Sequence, residues 1–170
     1  MVNTDLIILG MLYFMPSHGY QLKKNFKDSF GNPYLKLNNN VLYPTLARLE
    51  KKGLIEGKEM PGEKMNRKVY HISEEGKKQF LELVAEPIKP SADDFEFKVK
   101  AVFFDLIPKE KRLKVIEPLY EAKIQLYKES IKKKETFGPN MSLISLAVLE
   151  YGIKETENAL EFYKKLMEME

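Results

Sequence analysis

Leu42, Leu46 and Leu49 recur at i, i+4 and i+7, the spacing that lines up one buried stripe of an α-helix. The spacing predicts a helix within 38–55. Asn39 or Asn40 caps its start, Pro44 lies in its first turn, and Gly53 supplies the left-handed residue that ends it. Its other face carries Tyr43, Thr45, Ala47, Arg48, Lys51 and Lys52. Before it, Leu6, Ile7, Leu9, Leu12 and Tyr13 make a strongly apolar helix that stops at Pro16, and Ser17-His18-Gly19 reads as a turn. Tyr20–Phe30 is a second helix, with Leu22 and Phe26 inward and Lys23, Lys24 and Lys27 outward, broken by Gly31-Asn32-Pro33.

After Gly53 the period changes. Two short extended segments, 54–60 and 67–72, flank a Pro61-Gly62-Glu63-Lys64 turn and predict a β-hairpin. Ser73 then opens a fourth helix to about Glu86, with Phe80, Leu81 and Val84 inward. Pro87-Ile88-Lys89-Pro90-Ser91 cannot continue a helix and reads as a linker. Beyond it every segment has helical spacing. A stretch over 94–106 buries Phe97, Ala101 and Phe104, a long helix follows Pro108 with a kink expected at Pro118, and a last helix starts at Ser142.

Three helices followed by a hairpin is the order of a winged helix-turn-helix, in which the third helix enters the major groove and the hairpin lies along the backbone. The fold expected is therefore mainly α (α+β). Residues 1–86 form the winged helix-turn-helix domain, 87–92 the linker, and 93–170 an all-helical domain for dimerisation and effector sensing.

Composition narrows the function further. The chain has 44% apolar and 31% charged residues, which describes a folded soluble protein. It has no cysteine, so disulfides and thiolate metal sites are excluded. No apolar run is long enough for a bilayer, and the N-terminus has no basic signal region, so the cytoplasm is expected and no membrane partner. The net charge of +3 lies wholly in the N-terminal half: residues 1–86 hold 13 Lys/Arg against 10 Asp/Glu, and the rest hold 15 of each. An excess this small does not establish nucleic-acid binding; its placement, in the half that holds the candidate reading helix, matters more than the sum.

Candidate contacts follow from side-chain chemistry. Asn40, Tyr43, Thr45 and Arg48 sit on the leading end of the reading helix, where Asn pairs with adenine, Arg with guanine, and Thr or Tyr meets methyls or phosphates. His18, Tyr20, Gln21, Lys24 and Asn39 are placed to grip phosphate and set register. For Asn39 the competing role is the helix cap, and for His18 a hydrogen bond inside the turn. Lys64, Arg67 and Lys68 offer the wing cations for phosphate, although such residues also protect exposed strands from aggregation.

In the last helix Leu143, Leu146, Leu149, Ile153, Leu160, Phe162 and Leu166 form a wide apolar stripe. It suits an identical subunit as well as packing on the preceding helix. Phe103, Phe104 and Tyr151 are candidates for an effector pocket, with core packing as the alternative. Asp93, Asp94 and Glu96 read as an acidic helix start rather than as catalysts. Two histidines cannot build a metal cluster, and no phosphate loop or nucleophile elbow occurs. Neither a cofactor nor enzymatic activity is expected.

With these elements in place, the first 80 or so residues resemble the PadR family of transcriptional regulators. The matching segments are Ile8-Leu9-Gly10-Met11-Leu12, His18-Gly19-Tyr20-Gln21-Leu22, Leu42-Tyr43-Pro44-Thr45-Leu46, Arg48-Leu49-Glu50-Lys51-Lys52-Gly53-Leu54-Ile55, and residues 67–76. The order and spacing of His-Gly-Tyr, Leu-Tyr-Pro and Leu-Glu-x-x-Gly-Leu-Ile carry the likeness. Lys98–Phe104 before Pro108 looks like the start of the long helical tail of the larger subgroup. The resemblance implies a homodimeric regulator, most often a repressor, on an inverted-repeat operator in double-stranded DNA, released by a small aromatic effector. Two features depart from the family. Asn39-Asn40-Val41 stands where small residues are usual, and there is no tryptophan of the kind with which some short members hold flat drugs. The competing functions are a winged-helix protein adapter and, further off, an enzyme built on the C-terminal helices.

Overall fold

The computed structural model describes residues 3–30, 37–61, 67–90 and 94–169. They fall into two compact units, Met1–Glu86 with Asp93–Ile107, and Pro87–Ala92 with Pro108–Glu170.

In the first unit, α1 (Thr4–Phe14) buries Leu6, Ile7, Ile8, Leu9 and Leu12, so it is apolar almost all round and forms the core rather than a surface helix. Asn3 caps it, its Oδ1 accepting from the amides of Asp5 and Leu6. Around α1 pack α2 (Gly19–Phe30), α3 (Asn39–Lys51) and α4 (Glu74–Ala85), joined by β2 (Ile55–Met60) and β3 (Arg67–Ile72). The expected hairpin is present, with Ile55 opposite Ile72 and Met60 opposite Arg67. The Gly62–Lys64 part of its turn, like Gly31-Asn32-Pro33 and Asp93, lies outside the described residues.

The stretch expected as a turn before α2 is a third strand, β1 (Ser17–His18). It pairs antiparallel with β3 so that Ser17 faces Tyr70 and His18 faces Val69, and the sheet order is β1-β3-β2. Two residues carry no periodicity, which is why hydrophobic spacing does not reveal it.

Helix α3 keeps its three leucines fully buried, and Gly53 has φ +71 as its position after the helix requires. Its start differs from expectation. Asn38 takes the cap position without a side-chain cap bond, and its carbonyl accepts from the amides of Val41 and Leu42. Asn39 and Asn40 are therefore inside the helix, and Pro44 sits in the second turn, where it has no N–H to give to the Asn40 carbonyl.

The segment expected to open the C-terminal domain belongs to the first unit. Helix α5 (Phe95–Ala101) buries Phe97 and Val99. Phe103 meets Phe80 of α4 edge-on at 5.0 Å, and Phe104 meets Phe97 at 5.8 Å. Aromatic packing on α4 explains the grouping.

The second unit is a helical hairpin of α6 (Lys109–Phe137) and α7 (Leu143–Glu168), joined by a short 3₁₀ turn over Gly138–Asn140. The helices run in opposite directions: Lys134 pairs with Glu150, Tyr127 donates to Glu157, and Arg112 donates to the Met169 carbonyl. Ser142 caps α7 through the amide of Ser145. Pro118 lies inside α6. None of the described helices is long and apolar enough to cross a membrane.

Candidate nucleic-acid interface

The exposed edge of the first unit is made where the start of α2, the outer face of α3 and the inner strand of the wing meet. Strand β1 sets this geometry, because it holds His18 against β3 at the point where α2 begins. His18 Nδ1 accepts from the Gln21 amide at 3.2 Å, so the imidazole caps α2. The local hydrogen bond weighed against a phosphate contact is the one the structure forms. Its ring stacks on Tyr20 at 6.3 Å, and Tyr20 itself is 72% exposed.

Gly19 matters for the adjacent helix. A Cβ at this position would stand 2.9 Å from Tyr43 Cε1 and 3.0 Å from its hydroxyl, so the glycine lets the Tyr43 ring lie close over the start of α2. Tyr43 nevertheless keeps 49% of its surface. Two clefts open beside it. One, of about 610 Å³, is lined by His18, Tyr20, Gln21, Tyr43, Arg67, Lys68 and Tyr70. The other, of about 440 Å³, is lined by Tyr20, Lys23, Lys24, Lys27, Asn39 and Tyr43 among others. Tyrosine hydroxyls and lysine ammoniums around a concave edge are donors suited to an anionic backbone.

Asn40 is exposed on α3, as are Tyr43, Pro44 and Ala47. Asn39 is exposed too, but its Oδ1 accepts from Lys23 Nζ at 3.1 Å, which ties α3 to α2 instead of capping the helix. Gln21 turns its amide to Asn25 Oδ1 at 2.6 Å. Lys24 stays on the wet face.

Two residues expected to read bases are occupied otherwise. Thr45 is 7% exposed, and its hydroxyl donates to the Val41 carbonyl at 2.7 Å, so it belongs to the buried side and not to the groove face. The reason is spacing: Thr45 lies three residues after Leu42 and four before Leu49, on the same stripe. Arg48 is bidentate to Asp5 of α1, Nη1 reaching Oδ2 at 2.8 Å and Nη2 reaching Oδ1, and this hydrogen bonding raises its already high pKa.

On the wing, Arg67 is exposed, and Lys64 lies outside the described residues. Lys68 donates to Glu50 Oε2 at 2.8 Å and lies 5.5 Å from the centre of the Tyr70 ring. That ion pair holds the Glu50 carboxyl below its ordinary value and the Lys68 ammonium above its own, while burial pushes the Tyr70 phenol up.

Hydrophobic spacing puts Lys23 and Lys27 on the outward face without making them contacts, and it does not single out Glu50 or Tyr70. The first two had a legible signal, since Tyr20, Lys23, Lys24 and Lys27 fall at i, i+3, i+4 and i+7 of one helix face. The roles of Glu50 and Tyr70 depend on pairing across elements and leave no local trace.

The remaining expected sites lie elsewhere. Phe103 and Phe104 are buried in the first unit, and Tyr151 is exposed on α7 in the second. On α7 Ile153 is buried, with Thr156 and Tyr163, and so does not lie on the free face. Leu146, Leu149, Leu160 and Leu166 are half-buried, and Leu143 and Phe162 are exposed. Among the described residues no group of three or more His, Asp or Glu side chains is arranged to hold a metal ion.

Residues 8–82 match the model of the transcriptional regulator PadR-like family. Among solved structures, the chain is similar to Bacillus subtilis PadR in complex with operator DNA, at 20% identity over 96% of this chain and 95% of that one, with a TM-score of 0.47. It is similar to a PadR family regulator from Eggerthella lenta, at 32% identity over 48% of this chain and 69% of that one, TM-score 0.44. A PadR-like regulator from Bacillus cereus shares 25% identity over 97% and 94% of the two chains, TM-score 0.45. Nothing among the curated proteins matches the chain.

Proposed function

From a chain that belongs, through residues 8–82, to the PadR-like family of transcriptional regulators, we propose a homodimeric repressor that binds an inverted-repeat operator. The family is one of regulators and not of enzymes. The observation that carries the proposal is the pair of clefts flanking Tyr43, which bring exposed tyrosines of α2 and α3 together with lysines of α2 and Arg67 of the wing.

In this reading Asn40 and Tyr43 face base edges from the first half of α3, where an asparagine amide suits adenine. Tyr20, Lys23, Lys24 and Lys27 hold phosphates on one side and Arg67 on the other, fixing register without carrying sequence information. Thr45 supports α3 from its buried side, and Arg48 ties α3 to α1 through Asp5. The exposed apolar start of α7, with Leu143 at 86% and Ile144 at 79%, supports a second copy as partner. Two copies would set their reading helices about 34 Å apart, one turn of DNA, or a multiple of it. A DNA-binding regulator of this kind acts in the cytoplasm. A small aromatic effector acting on the second unit belongs to the same reading.

Footprinting on the DNA upstream of the chain's own gene, followed by affinity measured against salt, tests the reading. Protection of an inverted repeat is expected. Lys24→Ala and Arg67→Ala should each lower the salt slope by about 1, while Arg48→Ala should leave the slope unchanged. Equal affinity for the upstream region and for random DNA, with no protected repeat, defeats the proposal.

A further inference from the structure

The wing and the reading helix are joined by a small polar clasp whose members are Glu50, Gly57 and Lys68. Glu50 stands in the last turn of α3, the end of a helix where cations are favoured and a carboxylate is not. Its two oxygens have separate partners on the wing. Oε1 accepts from the Gly57 amide of β2 at 3.0 Å, and Oε2 from Lys68 Nζ of β3 at 2.8 Å.

Lys68 reaches Glu50 by an indirect route. Directly opposite it on β2 is Glu59, an acceptor at the usual cross-strand distance. The lysine instead runs back across Gly57 towards α3. A Cβ on Gly57 would stand 2.0 Å from Lys68 Cε and 2.7 Å from Glu50 Oε1, so this crossing exists because position 57 has no side chain. The chain also passes over the Tyr70 ring, within cation–π range. Both partners of the ion pair keep about a third of their side-chain surface, 39% for Lys68 and 32% for Glu50. An ion pair so exposed contributes little to stability. What it supplies is geometry, since one carboxylate touches both strands of the wing at once.

We infer that Glu50 is a positioning residue that sets the angle of the wing against the reading helix, and that Lys68 serves this clasp instead of binding a DNA phosphate. The inference rests on the DNA-binding reading above. It divides the wing cations into two kinds: Arg67 meets the backbone, while Lys68 holds the wing where Arg67 can reach it. The groups facing Glu50 and Lys68 are Glu59 and Tyr70 from the strands, and the Gly57 amide.

Gly57→Ala provides a variant that separates the pair without changing charge. The atoms in its way are the ends of two flexible side chains, which can move aside while the fold is kept. Glu50→Gln keeps the acceptor for Gly57 and loses the ion pair, and Lys68→Met keeps the aliphatic chain and loses the ammonium. Operator and random-sequence affinities of the full-length chain would be measured across a salt series for these three variants and for the Glu50→Gln/Lys68→Met double variant. Thermal melts monitor folding.

Each single variant is expected to reduce the preference for operator over random DNA by roughly tenfold, the scale of one mismatched base pair. The salt slope should stay at the wild-type value, and the double variant should be no worse than the worse single one. Three outcomes overturn the inference: a slope lower by about 1 in Lys68→Met with uniform loss on all sequences, which makes Lys68 a phosphate contact; tighter binding by Glu50→Gln, which makes Glu50 a competitor for Lys68; or unchanged preference in Gly57→Ala and Glu50→Gln alike. Wild-type protein that does not distinguish operator from random DNA at any salt instead removes the DNA-binding reading beneath it.

Discussion

Lys100 of α5 is buried, and its ammonium donates to the carbonyl of Glu86, the residue that ends α4. A cation at a helix C-terminus is favourably placed. Burial opposes this, and it outweighs the attraction of Glu86 and Glu96, so the ammonium is held below its ordinary pKa of 10.5. The sign of the consequence is fixed. A lysine that binds its proton less tightly when folded makes unfolding take up protons, so stability rises with pH between the lowered value and 10.5 and is reduced below that window. Urea midpoints of the wild type and Lys100→Met, measured in steps from pH 7 to pH 10, should therefore diverge upward for the wild type relative to the variant. Parallel curves would show that the buried ammonium makes no difference between the two states.

Elements in this chain differ in how much of them is visible before folding. Helices α1, α3 and α4 and the β2–β3 hairpin are legible because each has several turns or residue pairs in which the 3.6 or the 2.0 period can repeat. The two residues of β1 cannot show a period, and only their pairing with β3 defines them. Thr45 shows the other kind of failure. Its spacing places it on the leucine stripe, but a hydroxyl reads as polar until its bond to the Val41 carbonyl is seen. Arg48 meets a partner 43 residues away, a pairing that no local pattern encodes. At the candidate interface, then, residue types on α2 and the wing were readable and the division of labour on α3 was not.

Ser73 makes an element-level prediction of its own. Its hydroxyl oxygen accepts from the Gly76 amide at 3.0 Å to cap α4, and its hydroxyl donates to the Gly53 carbonyl at 2.7 Å, just after α3. Ser73→Ala removes the cap and the link, and should cost about 1–2 kcal/mol in chemical denaturation. A Ser73→Asp variant, which restores a cap acceptor but not the donor, should recover only part of that loss.

At the scale of the whole molecule, the two faces of α7 have different fates. Ile153, Thr156 and Tyr163 are buried, whereas Leu143, Ile144, Val148 and Tyr151 leave about two thirds or more of their surface to water. Residues 144, 148 and 151 recur at i, i+4 and i+7, so they form one continuous strip rather than scattered exposures. Single exposed apolar residues are ordinary; a contiguous strip of large ones marks an association surface. A second copy of the chain is the simplest partner, because a two-fold axis lets one strip cover its own counterpart. On the proposed function, loss of the dimer would also weaken DNA binding, since one copy of α3 would address only half of an inverted repeat. Replacing Ile144 and Val148 together by Glu should therefore convert the protein to a monomer in sedimentation experiments that stays folded, its thermal midpoint lowered by the lost association and no longer dependent on concentration, because neither side chain is buried within the chain. Operator affinity should fall steeply, while binding to an isolated half-site should be kept. A double variant that still sediments as a dimer would move the interface away from this strip, and one that unfolds would show that the strip belongs to the fold of the single chain.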